Sequence, residues 1–261
     1  MPASQVVISP STPADARDEA VWERVWQHQP SVSKDQALLD REANGPRWRL
    51  IVDRLESTFG TVRGLKTIEL GCGRGDLSVL LARRGADVTL LDQSDSALAQ
   101  ARSRFDRLGL DARFERGNLL GALDPWRGRF DVVLSVGVVE HFRRTDRTRA
   151  LAAHHKVLRS DGLAVVSVPH ARCIPYRWWK LYLELRGWWP YGLEIPYTKR
   201  ELQARARAAG FEAIETHALS FRQSLADHWC KRLFGRRPTW ADERSILDGM
   251  MGLVLVMFGW R

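Results

Sequence analysis

The apolar positions of the chain change period near residue 60. From Val21 to Phe59 they recur at helical spacing, with Val21, Trp22, Val25 and Trp26 forming one stripe and Trp48, Ile51, Val52 and Leu55 another. That spacing predicts helices ahead of the main body of the fold. Farther on, short apolar runs bounded by Gly or Asp alternate with amphipathic stretches, the pattern of a parallel sheet covered by helices on both faces. Strands are expected over 67–72, 87–92, 112–116, 130–136, 163–168, 212–218 and 253–258. Helices are expected over 76–84, 94–108, 147–159 and 199–209. The fold class is therefore α/β, a doubly wound and mostly parallel seven-stranded sheet.

The ends and the interruptions of this pattern divide the chain. Residues 1–20 contain Pro2, Pro10 and Pro13 with few large apolar groups, and are expected to form a disordered tail because they bury too little to offset the entropy of ordering. Residues 21–261 read as a single domain: helices to about residue 60, a core over 67–169, an aromatic helical insert over 170–197 that serves as a lid, and the remainder of the sheet over 198–261. A hydrophobic fraction of 44% and a charged fraction of 27% exclude a fibrous or wholly disordered chain.

Charge and cysteine content narrow the partners only a little. The net charge of +9 and pI near 10.0 would suit nucleic acid, an anionic membrane surface or an acidic substrate. The basic residues are spread from Arg17 to Arg261 without a dense block, so nucleic acid is the weaker expectation though not an excluded one. Cys72, Cys173 and Cys230 are odd in number and lack paired ligand spacing, which argues against a disulfide framework or a metal site. With no signal-like or spanning apolar segment, a cytoplasmic location is expected.

The densest chemistry lies where the first strand turns into a helix. Gly71, Gly73 and Gly75 let backbone approach a ligand while the helix start offers free N–H groups. The spacing G-x-G-x-G differs from the dinucleotide fingerprint, and Asp76 stands where that fingerprint has its last glycine, so a pyrophosphate would be repelled. Glu69 adds a second acid, better matched to a cationic amino-acid moiety. Asp92 ends the second strand, where a carboxylate can accept from both hydroxyls of a ribose.

Glu69-Leu-Gly-Cys-Gly-Arg-Gly75, Leu90-Leu-Asp-Gln93, Gly117-Asn-Leu119 and the run from Asp131 to His141 together resemble the successive motifs of class I S-adenosylmethionine (SAM)-dependent methyltransferases, most closely the "type 11" and ubiquinone/menaquinone-biosynthesis branch. The resemblance spans 67–168 and fades toward Phe211. It implies a Rossmann-like fold, SAM as cofactor, and a methyl acceptor as partner. It further implies that Glu69 and the turn from Gly71 through Cys72 and Gly73 to Gly75 hold the methionine end. Asp92 would hold the ribose, with Gln93 beside the adenosine, Asn118 and Leu119 at the adenine, and Ser135 and Val136 lining the cofactor. The family more often has Asp at the position of Asn118, and quinone-pathway O-methyltransferases carry an additional Glu where this chain has Gly137.

Methyl transfer from a sulfonium is an in-line displacement that needs alignment and dryness, with a general base required chiefly for hydroxyl acceptors. His141, after the fourth strand, is the leading candidate base, with an imidazole pKa expected near working pH. His170, after the fifth strand, is the second. No metal ligand set is expected. Between the fifth strand and the next helix, Tyr176, Trp179, Glu194 and Tyr197 are candidate acceptor contacts within a run of aromatics and cations. Such a run is suited to roofing a planar substrate, to peripheral contact with a membrane, or to stacking on single-stranded nucleic acid, and its plainest alternative is a packed aromatic helix. The leading expectation is methylation of a small apolar or aromatic acceptor, with O-methylation favoured. An RNA methyltransferase and a non-catalytic SAM-binding scaffold are the alternatives. Oligomeric state is not legible.

Overall fold

The computed structural model describes residues 13–261, with side chains from residue 19 onward. The expected tail falls partly on residues 1–12, which lie outside the described residues. The backbone is helical from Pro13, where the sequence pattern places tail through residue 20. Three helices lead, α1 (Pro13–Trp26), α2 (Val32–Ala43) and α3 (Pro46–Phe59), the last buried through the predicted stripe of Trp48, Ile51, Val52 and Leu55.

Seven strands follow: β1 (Lys66–Leu70), β2 (Asp87–Asp92), β3 (Arg113–Arg116), β4 (Phe130–Val136), β5 (Leu158–Pro169), β6 (Ala213–Leu219) and β7 (Val254–Trp260). They lie in the order β3-β2-β1-β4-β5-β7-β6, with β7 antiparallel to both neighbours and the other pairings parallel. Helices α4 (Asp76–Arg83), α5 (Asp95–Leu108), α6 (Asp146–Val157), α7 (Ile174–Leu185) and α8 (Lys199–Ala208) complete the framework.

Successive strand residues face opposite sides, so the sheet divides two cores. Leu90, Val132, Leu134, Val165 and Phe258 pack with α3, α4 and α5 residues such as Leu55, Leu81 and Phe105. Leu91, Val133, Ala164, Val166 and Met257 pack with Leu151, Val157 and Leu202 of the opposite layer. Burial on both faces explains why these strands read as unbroken apolar runs. Two features depart from the pattern. β5 starts five residues before its apolar run, because its exposed segment around Asp161 pairs only at Leu158 before the register with β4 shifts. Residues 221–234 are helical, with a π-helical turn at Ala226–Cys230, where no element is legible in the sequence.

Arg104 of α5 is among the largest fully buried side chains and joins three helices. Its Nε donates to Asp35 Oδ2 of α2 at 3.0 Å, its Nη2 pairs with Asp35 Oδ1, and its Nη1 reaches Asp76 and the carbonyl of Arg74 at 3.1 Å. Removing one partner of a buried pair strands the other charge without water. Arg104→Ala should therefore lower unfolding free energy by about 3–5 kcal/mol, as measured by urea denaturation; a loss under about 1 kcal/mol, the range of surface pairs, would show that the cluster is hydrated.

Candidate active site

At the carboxyl edge of the sheet β1 ends at Leu70 and the chain reverses through the glycines. Gly71 and Cys72 N–H groups both donate to the Leu91 carbonyl, at 2.8 and 3.0 Å, and the Gly73 N–H donates to Asp92 Oδ2 at 2.8 Å. Gly73 has φ +52° and Gly75 φ +69°, which L side chains resist. A Cβ on Gly75 would lie 2.5 Å from Leu90, and one on Gly73 would lie 2.6 Å from the Trp26 ring. Gly75 thus shapes the entry to α4, whereas Gly73 lets α1 lie directly over the turn.

Both acids of the turn are buried. Glu69 Oε2 accepts from the Ser78 N–H at 3.2 Å and hydroxyl at 2.5 Å, so the carboxyl caps α4 from the adjacent strand. Loss of water raises its pKa to about 7. Asp92 Oδ1 accepts from the Ser94 N–H at 2.9 Å, and burial raises its pKa in spite of that bond and the one from Gly73.

A cavity of about 660 Å³ opens over this edge. Sheet order arranges its wall: Asn118 and Leu119 follow β3, Asp92 and Gln93 end β2, Glu69 and the glycine turn belong to β1, and Val136 to His141 follow β4. Asn118 Nδ2 donates to Gln93 Oε1 at 3.1 Å, and Asn118 Oδ1 accepts from the Leu120 N–H at 2.8 Å. Of the expected cofactor contacts, Glu69, Gly71, Cys72, Gly73, Asp92, Gln93, Asn118, Leu119 and Val136 face this cavity. Gly75 and Ser135 do not. The Ser135 hydroxyl is buried against His154 Nε2 at 2.8 Å and ties β4 to α6.

The candidate bases separate. His141 lines the cavity, and its Nδ1 donates to the Leu193 carbonyl, so Nε2 is left as an acceptor. Burial lowers its pKa to about 4, well below the imidazole value expected from the sequence, and keeps the ring neutral. His170 lies outside the cavity, 2% exposed, with Nδ1 donating to the Gly252 carbonyl at 3.2 Å. It fastens β5 to the approach of β7.

The candidate acceptor contacts also lie behind the wall. The Tyr176 hydroxyl donates to Glu194, and Tyr197 is fully buried with its hydroxyl 3.3 Å from the Val139 carbonyl and the Arg147 guanidinium 3.6 Å from its ring centroid. Trp179 stacks near Tyr182 and His228 with Arg232 over its face. Their places in the wall are taken by Tyr191, Gly192 and Leu193, a few residues on, and by Val21, Trp22 and Trp26 of α1. The Trp22 ring meets His141 edge-on at 4.7 Å and stacks at 6.4 Å on Tyr191. Helix α1 is held there by Glu23, whose carboxylate accepts from the Ser94 hydroxyl at 2.7 Å and the Ser96 N–H at 3.3 Å.

Local pattern shows Trp22 as part of a helical stripe, and no residue nearby signals that the helix crosses the sheet edge. Arg47 is likewise unmarked in sequence, yet it enters the cavity with its guanidinium forked on Glu42 at 2.8 and 2.6 Å. Glu140, His141 and Glu194 bring donor atoms within 4.8 Å of one another, and Glu140 Oε2 has no hydrogen-bond partner. That set suits a divalent cation by chemistry. The sequence pattern, which holds no metal spacing, omits it because Glu194 arrives by the return of the chain over β4, fixed by the Ile195 N–H donating to the Glu140 carbonyl at 2.9 Å.

Residues 68–162 match the family model described as "Methyltransferase domain". The chain is 32% identical over 180 residues to a ubiquinone biosynthesis O-methyltransferase of Ruegeria pomeroyi, covering 66% of this chain and 71% of that protein. It is 31% identical over 172 residues to the enzyme of that name from Azorhizobium caulinodans, covering 64% and 66%. The matches thus span about two thirds of those relatives' length. In fold it is similar to the magnesium protoporphyrin IX methyltransferase of Synechocystis PCC 6803 with bound SAH, with a TM-score of 0.58, 16% identity, and coverage of 93% of this chain and 94% of that one. The chain belongs to the class I SAM-dependent methyltransferases.

Asp92→Ala should weaken SAM binding by about 1.5–3 kcal/mol, the range of hydrogen bonds to charged groups; an unchanged dissociation constant in calorimetry would reduce Asp92 to a brace for the turn. Glu69 gives a second check, with a definite sign. Its raised pKa leaves it neutral below about pH 7 and anionic above, so affinity for the SAM ammonium should increase as pH rises through about 7. In Glu69→Gln, which can still accept from Ser78, that increase should vanish.

Proposed function

We propose that this methyltransferase moves the SAM methyl group to a hydroxyl of a small, apolar or aromatic acceptor, with His141 as general base. The observation that carries the proposal is the neutral His141 ring, locked through Nδ1 to the Leu193 carbonyl, with Nε2 free in the same cavity as the glycine turn. The order of the wall supports one orientation of the cofactor. Asn118 and Leu119 would hold the adenine, Asp92 would accept from the ribose hydroxyls, and Glu69 and Arg47 would meet the ammonium and carboxylate of the methionine end. Val136 and His141 would then flank the methyl-bearing end of the cofactor.

Trp22, Tyr191 and Leu193 would seat the acceptor ring and keep water out, so that oxygen, methyl carbon and sulfur stand in line. Nε2 accepts the hydroxyl proton as the oxygen–carbon bond forms and the carbon–sulfur bond breaks. The positive charge lost at sulfur would reappear on the protonated His141 ring, which would pass its proton to solvent as the thioether and the methylated product leave. The relatives named as O-methyltransferases of ubiquinone biosynthesis support an aromatic hydroxyl as acceptor. We place the reaction in the cytoplasm, with a small molecule as the acceptor.

His141→Ala should lower turnover about 10²- to 10⁴-fold while leaving the SAM dissociation constant unchanged. Because burial depresses the imidazole pKa, the base form persists on acidification, and the acidic limb of kcat against pH should fall near pH 4. Near-normal turnover of the alanine variant in a stopped assay with a catechol acceptor would exclude His141 as the base.

A further inference from the structure

Helix α1 is fastened to one half of the sheet and reaches the other half with a single ring. Its anchors lie on the side of Asp92. Arg116, the last residue of β3, donates through Nη2 to Glu19 at 2.6 Å. The Glu23 carboxylate accepts from the Ser94 hydroxyl at 2.7 Å, the Ser96 N–H at 3.3 Å and the Ser96 hydroxyl. At the end of the helix Gln100 Nε2 of α5 donates to the Trp26 carbonyl. Glu19, Glu23 and Trp26 are four and three residues apart, so these anchors fall along one stripe of α1. Ser94 is fully buried, and its own N–H donates to Asp92 Oδ1 at 2.9 Å, which joins the stripe to the end of β2.

Trp22 leaves this stripe toward the other half of the site. Its ring meets His141 edge-on, with centroids 4.7 Å apart and planes at 85°, and stacks at 6.4 Å on Tyr191. His141 donates through Nδ1 to the Leu193 carbonyl, and that bond sets the tautomer. It does not set the plane of the ring, because the last torsion of a histidine has a broad well and a ring tied at one nitrogen can pivot about that bond. A second ring packed across it at nearly a right angle closes the pivot, in an arrangement that aromatic pairs favour. Nε2 is therefore aimed by two contacts that come from opposite parts of the chain, residue 22 and residue 193.

We propose that Trp22 is a positioning residue for His141, and that α1 carries this support from the Asp92 side of the cavity through Ser94 and Glu23. One helix thereby joins the end of β2, where the cofactor ribose would be held, to the segment after β4, where the acceptor would lose its proton. Alignment at this point has a large effect on rate, since a misplacement of about 1 Å can cost on the order of 10²-fold. The effect on rate rests on His141 being the general base, as proposed above; the fixing of the ring does not.

The test joins a double-mutant cycle on kcat, with catechol as acceptor, to nitrogen NMR of the histidine rings in the full chain. Trp22→Ala should lower kcat about 10- to 100-fold, Trp22→Phe should restore most of the loss, and Glu23→Ala should lower kcat in the same direction by a smaller factor. On a His141→Ala background Trp22→Ala should cost less than about twofold more, because the ring it aligns is gone. Near neutral pH the wild-type His141 should show the Nδ1–H tautomer alone, and Trp22→Ala a mixture with Nε2–H. SAM binding retained in calorimetry verifies that each variant is folded. A Trp22→Ala loss that persists in full on the His141→Ala background, or that falls on KM alone, would overturn the proposal and leave Trp22 as a wall of the acceptor pocket. So would an unmixed tautomer in Trp22→Ala. Near-normal turnover of His141→Ala with mixed tautomers in Trp22→Ala would instead strike the base reading and leave the positioning standing. A large loss in His141→Ala with neither change in Trp22→Ala would do the reverse.

Discussion

Two carboxyl groups, Glu69 and Asp92, taken out of water at the ends of neighbouring strands, hold the geometry on which the site depends. Asp92 accepts the Gly73 N–H and Glu69 accepts from Ser78, so the turn between β1 and α4 is clamped from both strands. The desolvation that raises their pKa values is a standing cost. Hydrogen bonds offset part of it, and a ligand bearing an ammonium and two ribose hydroxyls would offset more. The same turn forms the fold's first parallel crossover and lines the cavity.

The rest of the cavity is closed by elements remote in sequence. Helix α1 lies across the turn because Gly73 has no Cβ, and Glu23 fastens it to the start of α5. The segment after α7 closes the other side, where the Leu193 carbonyl takes the Nδ1 proton of His141. Closure has an electrostatic effect, since the low dielectric around His141 keeps its ring neutral. The tautomer of that ring is set by a backbone carbonyl from a different part of the chain.

Aromatic residues divide between two tasks after β5. Tyr176 donates its hydroxyl proton to Glu194, and the Trp179 and Tyr197 rings lie under the guanidinium groups of Arg232 and Arg147. Trp178 and Leu185, one face away, remain in solvent. Adjacent residues in a helix point about 100° apart, so Trp178 and Trp179 have identical composition and opposite surroundings.

Hydrophobic period and turn chemistry determined most of the framework. β2 and β4 have the bounds their apolar runs predict, because strands buried on both faces carry their own signal. The G-x-G-x-G turn and Asp92 were legible for a related reason, since residues a strand end and its turn require are local in sequence. Gly75 was legible as a turn residue, although it packs beneath Leu90 and does not face the cavity. Only tertiary structure decided which side chains fill the remaining wall. Trp22, Arg47 and Tyr191 enter it through packing of distant elements, His170 and Ser135 are withdrawn by bonds to Gly252 and His154, and the orientation of α7 sets which aromatics are buried. A local pattern encodes the face a residue shares with its neighbours, while the object that face meets is settled by how whole helices and loops close over the sheet.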